Sequence, residues 1–186
     1  MMHVRTYIRG FTLVETLVAI ALLTIAIVAP MTLTQQSLSS AYYARDQITA
    51  YNLAQEGIES VRAIRDGQIL TISQTVDASG VDLFGPIPVN QDFVINSLDT
   101  NPATAITTCS GTCPNMQIHP DGTLYGYGTG WENSKFVRTM RASYVGSSED
   151  EILLQATVSW ESDAGQTRVF TIYEHVYRWI NDGSAI

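Results

Sequence analysis

The hydrophobic positions of the chain are concentrated in one run near the N-terminus. Residues 11–31 read FTLVETLVAIALLTIAIVAPM, and Glu15 is the only charged residue among them. A helix needs about 20 mostly apolar residues to cross a bilayer, so this run is long enough to span one. Pro30 removes a backbone hydrogen bond near the end of the run, and we expect it to kink or locally open the helix.

A second pattern follows, in which apolar residues recur at steps of three and four. It runs from Leu38 to Asp66 and is typical of an amphipathic helix with one face on a core. The pair Asp66-Gly67 predicts the end of this helix. The apolar positions are Ala44, Ile48, Tyr51, Ala54, Ile58, Val61 and Ile64.

The remainder of the chain changes from turn residues to alternating strands. Residues 68–131 are rich in glycine, proline and asparagine and predict loops, with short strands at 93–98 and 123–127. Three later runs alternate with a period of two, which predicts antiparallel strands with one face on a core. The whole pattern predicts an α+β fold, in which a long N-terminal α-helix packs on a C-terminal antiparallel β-sheet. The three runs span 136–145, 152–160 and 168–179.

Composition and charge exclude some classes of function. Only 15% of the 186 residues are charged, against about 25% in an ordinary soluble domain. Ten Lys and Arg against eighteen Asp and Glu give a net charge of −8, which argues against nucleic-acid binding and against docking on anionic lipid. Arg5 and Arg9 precede the apolar run and no basic residue follows it closely, which predicts a cytoplasmic N-terminus and an extracytoplasmic remainder.

Glu15 is the residue of the apolar run that requires an explanation. A carboxylate in a spanning helix is costly unless it is neutralised, paired or reaches the lipid headgroups, and Glu15 lies close enough to the end of the run to reach them. A secretory signal peptide would have a shorter apolar core and a small-residue cleavage site, which Ala29-Pro30-Met31 does not supply. A plain membrane anchor leaves Glu15 without a role.

The residues Arg9-Gly10-Phe11-Thr12-Leu13-Val14-Glu15 resemble the class III signal of type IV pilins and type II secretion pseudopilins. The shared features are a basic leader that ends in glycine, an aromatic residue, and a glutamate four residues further on. The resemblance implies that prepilin peptidase cuts between Gly10 and Phe11 and methylates the new N-terminus at Phe11. The loss of two arginines would change the net charge from −8 to −10. The resemblance also implies that Glu15 meets the N-terminal amine of a neighbouring subunit during assembly.

The similarity extends to other parts of the chain. Pilins commonly carry a proline near the position of Pro30, and the stretches 53–62 and 157–179 are similar to those of minor pilins. Residues 68–131 resemble no family that we can name. The predicted parts are a leader at 1–10, a transmembrane and filament-core half-helix at 11–31, an amphipathic half-helix at 32–67, a loop-rich region at 68–131 and an antiparallel sheet at 132–186.

Candidate chemistry outside this signal is limited. Cys109-Ser-Gly-Thr-Cys113 lies in a predicted extracytoplasmic loop and predicts a local disulfide worth about 2 kcal/mol. A zinc site would need two more ligands, and His119 is the only one nearby. The acidic groups Glu149-Asp150-Glu151 and Asp77 with Asp82 lack the pattern of a calcium loop. The sequence therefore predicts no metal and no cofactor.

Three aromatic residues lie among the glycines of the loop-rich region. Tyr125, Tyr127 and Trp131 could form a sugar-stacking or adhesive surface, or they could pack within a glycine-rich hairpin. Both interpretations are open at the level of sequence.

The sequence therefore predicts a structural subunit and not an enzyme. Its function would be that of a minor pilin in a type IV pilus-like filament, assembled through its N-terminal helix. Expected partners are other pilins or pseudopilins, prepilin peptidase, the inner-membrane assembly platform, and the membrane itself before assembly. The alternatives are a type II secretion pseudopilin, a membrane-anchored adhesin or binding module, and an anchored hydrolase, for which the sequence offers no catalytic constellation. The predicted location is a single-pass inner-membrane protein that later joins an extracytoplasmic or extracellular filament.

Overall fold

The computed structural model describes residues 10–74, 82–147, 149–162 and 165–179. The chain divides into two compact units, Met1–Arg45 and Asp46–Ile186. Most of the predicted leader, and Asp77, lie outside the described residues.

Helix α1, Leu13–Gln74, is 62 residues long and contains Pro30. It continues past Asp66-Gly67, so the helix end predicted there is wrong. A single glycine costs a helix only about 1 kcal/mol relative to alanine. The half-buried side chains of Gln68, Ile69 and Ile72 extend the three- and four-residue spacing beyond Gly67, which keeps this last part helical.

The buried face of α1 begins later than the apolar pattern predicts. Ala44, Ile48 and Tyr51 are exposed, and Ile48 is 63% exposed. The other four predicted positions, Ala54, Ile58, Val61 and Ile64, are buried as expected. The buried residues of α1 are Asp46, Ala50, Leu53, Ala54, Gly57, Ile58, Val61 and Ile64.

Within the described residues, eight strands form two antiparallel sheets. The larger sheet has the order β2-β1-β6-β7-β8, and the smaller one has the order β4-β3-β5. A short helix, α2, Pro102–Ala105, lies between the first two strands. The strands are β1 (Asp92–Ile95), β2 (Ile106–Thr108), β3 (Gln117–Ile118), β4 (Tyr125–Gly126), β5 (Glu132–Asn133), β6 (Phe136–Tyr144), β7 (Glu151–Glu161) and β8 (Thr167–Tyr177).

The core lies between residues 46–74 of α1 and one face of the larger sheet. Along β7 every second side chain is buried, as the period of two predicts. The register places Phe136 opposite Trp160 and Val158 opposite Phe170. The three long strands are confirmed to within two residues at each end. The α+β fold, in which the later part of a long N-terminal helix packs against an antiparallel sheet in a pilin-like arrangement, is confirmed.

Candidate assembly site

The N-terminal end of α1 is defined by one threonine. Gly10, Phe11 and Thr12 precede the helix, and Phe11 is 80% exposed. The Thr12 hydroxyl accepts a hydrogen bond from the backbone N–H of Glu15 at 3.2 Å. The Thr12 carbonyl accepts the N–H of Thr16 at 3.2 Å. Thr12 is therefore the N-cap of α1, and its hydroxyl satisfies one of the N–H groups that a helix start leaves unpaired.

Sequence reasoning missed the role of Thr12, although the sequence contains a signal for it. A threonine followed three residues later by glutamate is the capping-box pattern of a helix N-terminus. Glu15 occupies the first turn, where a negative charge is favourable to the helix dipole. The position of Glu15 thus suits the helix start as well as the assembly role that the resemblance implies.

The first part of α1 exposes apolar side chains around its surface. It is long and apolar enough to cross a membrane, and none of its most apolar 18-residue window is buried within the structure. Such a surface requires lipid or other apolar helices to cover it. The large exposed side chains are Leu13, Val14, Leu17, Val18, Ile20, Leu22, Leu23, Ile25, Ile27, Val28, Met31, Leu33 and Leu38.

The hydroxyl groups within this apolar surface are satisfied by the helix itself. Thr16, Thr24 and Thr32 each donate to the carbonyl three residues earlier at 2.8 Å. Thr34 donates to the Pro30 carbonyl at 2.9 Å. Because each hydroxyl bonds to its own helix, these threonines remain compatible with an apolar environment.

Pro30 lies well inside α1, which continues on both sides of it. Proline has no N–H, so the carbonyl of Ala26 lacks the donor that a helix normally supplies four residues later. The kink expected at Pro30 stays a prediction.

A buried arginine joins α1 to the larger sheet. The Arg138 side chain on β6 is fully buried, and its guanidinium donates to the carbonyls of Leu53 at 2.9 Å and Ile95 at 2.6 Å. Its Nη1 lies 3.6 Å from Oε1 of Glu56. Burial lowers the pKa of Arg138, and the nearby Glu56 carboxylate opposes that shift. The guanidinium therefore bridges helix α1 and strand β1 through backbone groups.

The close approach of α1 to β6 depends on a glycine. A Cβ at Gly57 would lie 2.8 Å from Sδ of Met140 and 3.1 Å from Cδ of Arg138. The Glu56 carboxylate also accepts a hydrogen bond from the Ser97 hydroxyl. Sequence reasoning missed this network, although Arg138 has the same strand parity as the buried residues Phe136 and Met140, which marks it as an inward-facing arginine.

The predicted disulfide is present. Cys109 and Cys113 are bonded to each other and directly follow β2. His119 lies 2.8 Å from Asp121, measured from Nδ1 to Oδ1. Within the part of the chain that the structure describes, no group of three or more His, Cys, Asp and Glu residues could hold a metal ion.

Two of the candidate calcium ligands contact basic or titratable side chains instead. The Asp82 carboxylate lies 3.1 Å from Arg178, and the Glu151 carboxylate contacts His175. These contacts give the acids a structural role in the packing of β8 and the turns that flank it.

Tyr125 and Tyr127 are partly buried and pack against the core, and Trp131 is partly buried as well. Tyr125 makes an edge-on contact with Phe136, with ring centroids 5.8 Å apart. Trp131 makes a similar contact with His119 at 5.0 Å and lies against Gly128, where a Cβ would approach its ring to 2.6 Å. The geometry favours the packed glycine-rich hairpin over an open sugar-stacking surface.

Comparison with known proteins identifies the N-terminal segment. Residues 5–29 match the family model described as the prokaryotic N-terminal methylation motif. No curated protein and no solved structure matches the chain. The motif points to a structural subunit that is processed as a prepilin and assembles with other pilins. The chain thus carries at residues 5–29 the class III signal that is typical of type IV pilins and pseudopilins.

Proposed function

We propose that the protein is a minor pilin of a type IV pilus-like filament. In this proposal prepilin peptidase removes residues 1–10, cutting between Gly10 and Phe11, and methylates the amine of Phe11. The chain then remains in the inner membrane as a single-pass protein, with its N-terminus on the cytoplasmic side, until the assembly platform adds it to a filament. The observation that carries the proposal is the methylation motif at residues 5–29, placed directly on an uncovered apolar helix.

The exposed apolar surface supports assembly through the helix. Side chains such as Leu22, Ile25 and Met31 are at least 60% exposed and have no cover within their own unit. In the membrane, lipid covers them. In a filament, equivalent helices of neighbouring subunits would replace the lipid, and association would then depend on close packing because lipid and leucine are similarly apolar.

Glu15 supplies a second, electrostatic requirement for assembly. Cleavage would leave a cationic amine at Phe11 and a carboxylate at Glu15, both in or near apolar surroundings. An isolated charge there is costly, and the cost falls when an opposite charge lies beside it. We therefore assign Glu15 to pairing with the N-terminal amine of a neighbouring subunit, which would select one axial position for each incoming helix.

Replacement of Glu15 tests this assignment. We expect Glu15→Gln to be cleaved and inserted normally but to be depleted from the filament fraction, measured by quantitative immunoblotting of sheared filaments against membranes. Glu59→Gln is the matched control, because Glu59 is an exposed glutamate on the same helix within the other unit. Wild-type incorporation of Glu15→Gln would exclude the pairing role.

The mature N-terminus tests the processing step independently. Intact-mass and N-terminal analysis of the protein from membranes should give a chain that begins at methylated Phe11. A chain that begins near Met31 or Thr32 would show that the helix is removed as a signal peptide, and it would overturn the proposal.

A pseudopilin of type II secretion would give the same N-terminus. The two functions differ in where the filament forms, since a pilus extends from the cell and a pseudopilus stays within the envelope. Labelling of intact cells with an antibody against the unit Asp46–Ile186 separates them. Surface label on filaments supports the pilus, and label that appears only after the outer envelope is opened supports the pseudopilin.

A further inference from the structure

We infer that Thr12 is a positioning residue for removal of the leader. The inference rests on the proposed cleavage between Gly10 and Phe11. The N-cap at Thr12 makes α1 begin at Leu13, so the bond to be cut lies just outside the helix. Hydrolysis adds water across this bond and leaves a carboxyl group on Gly10 and an amine on Phe11. A peptidase must reach both atoms of the bond, which a helical backbone would hide.

The hydrogen bonds at the helix start explain how Thr12 acts. If α1 extended one residue further upstream, the N–H of Glu15 would bond to the carbonyl of Phe11, four residues earlier. The Thr12 hydroxyl occupies that N–H instead, at 3.2 Å. The side chain thus competes directly with the backbone bond that would extend the helix towards the cleavage site.

Gly10, on the N-terminal side of the bond to be cut, also opposes an upstream extension of α1. A Cβ at Gly10 would meet nothing within 4 Å, so packing within the structure does not require a glycine there. Glycine is among the poorest helix formers, which makes an upstream extension of α1 less favourable. Gly10 and Thr12 therefore both favour a backbone at Phe11 that lies outside the helix.

This role separates two functions of Glu15. Its backbone N–H serves the cap at Thr12, and its carboxylate serves the proposed pairing in the filament. Glu15→Gln retains that N–H, and its expected defect is failure to enter filaments. A Thr12 variant without a hydrogen-bond acceptor should instead be defective in cleavage, which precedes assembly.

The test is a cleavage assay on the full-length chain in detergent micelles with purified prepilin peptidase, read by intact mass. Thr12→Val has nearly the same shape but no acceptor, and we expect about a fivefold lower kcat/KM. That change corresponds to about 1 kcal/mol, a typical value for an N-cap. The loss should appear in KM and not in kcat, because fewer molecules hold the bond outside the helix.

Two rescuing variants distinguish capping from direct recognition of the side chain. Thr12→Ser and Thr12→Asn both form good N-caps but differ in shape, so both should restore the wild-type KM. Rescue by serine alone would mean that the peptidase recognises the hydroxyl, and wild-type kinetics for Thr12→Val would mean that the cap has no part in cleavage. Either result overturns the inference and leaves the proposed function intact. Failure of the wild-type chain to be cut after Gly10 would instead overturn the proposed function.

Discussion

Replacement of Arg138 by methionine removes the buried link between α1 and the sheet. The guanidinium makes two hydrogen bonds to backbone carbonyls, at 2.9 and 2.6 Å, and a hydrogen bond from a charged group contributes about 1.5–3 kcal/mol. The Leu53 carbonyl belongs to helix α1, and the Ile95 carbonyl belongs to strand β1. Ile95 is only 1% exposed. Methionine restores part of the packing, so we expect Arg138→Met to lower the free energy of unfolding by about 3 kcal/mol.

Urea unfolding of the full-length protein in detergent measures this change. All three tryptophans, Trp131, Trp160 and Trp179, belong to the unit Asp46–Ile186, so tryptophan fluorescence reports that unit without interference from the apolar helix. Equal slopes against urea in wild type and variant would show that the change lies in stability and not in the surface exposed on unfolding.

Arg141→Met is the matched control on the same strand. The Arg141 side chain is 49% exposed and pairs with Asp92 at 2.7 Å, and an exposed ion pair contributes at most about 1 kcal/mol. If Arg138→Met costs no more than Arg141→Met, the buried arginine does not fix α1 against the sheet and our reasoning is wrong. Arg138→Lys should remain well below wild type, because one ammonium group cannot reproduce the planar fork that reaches two carbonyls.

Three further predictions concern other parts of the unit Asp46–Ile186. Gly57→Ala should lower the free energy of unfolding by about 1–2 kcal/mol in the same urea assay, because its Cβ would overlap side chains of β6. Hydrogen bonds from the Thr123 side chain and backbone, and from His119, hold the pKa of Asp121 at about 2 against the usual 3.8. A lowered pKa contributes stability above pH 4 that is lost as the pH falls from about 4 to 2, and Thr123→Val should raise the pKa towards 3.8 in an NMR titration. Replacing both cysteines by serine should cost no more than about 2 kcal/mol, read as the shift in the urea midpoint, because the bond closes a ring of five residues.

Periodicity in the sequence predicts most of the fold for a physical reason. A strand that buries one face must alternate with a period of two. β7 does so over all eleven residues and β6 over its first eight, whereas in β8 only Val176 is buried. The end of α1 is less predictable, because a single glycine weakens a helix less than the later contacts of the helix stabilise it. The start of the buried face of α1 is also less predictable, because Ile48 and Tyr51 are exposed although both fit the apolar pattern.

The polar parts of the molecule are predicted less completely. An arginine on an inward position of a strand contradicts the pattern of that strand, and only the structure shows that the Leu53 and Ile95 carbonyls accept hydrogen bonds from it. The N-cap at Thr12 was predictable, because its spacing to Glu15 is a known helix-start pattern. Both cases involve a hydrogen bond that joins a side chain to a backbone group, which hydrophobic periodicity does not encode.

The two parts of α1 meet different physical requirements. Residues such as Leu53 and Val61 bury their side chains against the sheet of the same chain. Their hydrophobic contribution to stability is therefore already present in the unassembled subunit. Residues such as Leu22 and Ile25 are exposed, so their hydrophobic contribution to stability depends on whether lipid or another helix surrounds them. Exchange of lipid for sister helices brings little hydrophobic gain. In the proposed filament, packing and the proposed charge pair at Glu15 would therefore supply the preference for assembly, so Glu15 would control assembly without affecting the folding of the unit Asp46–Ile186.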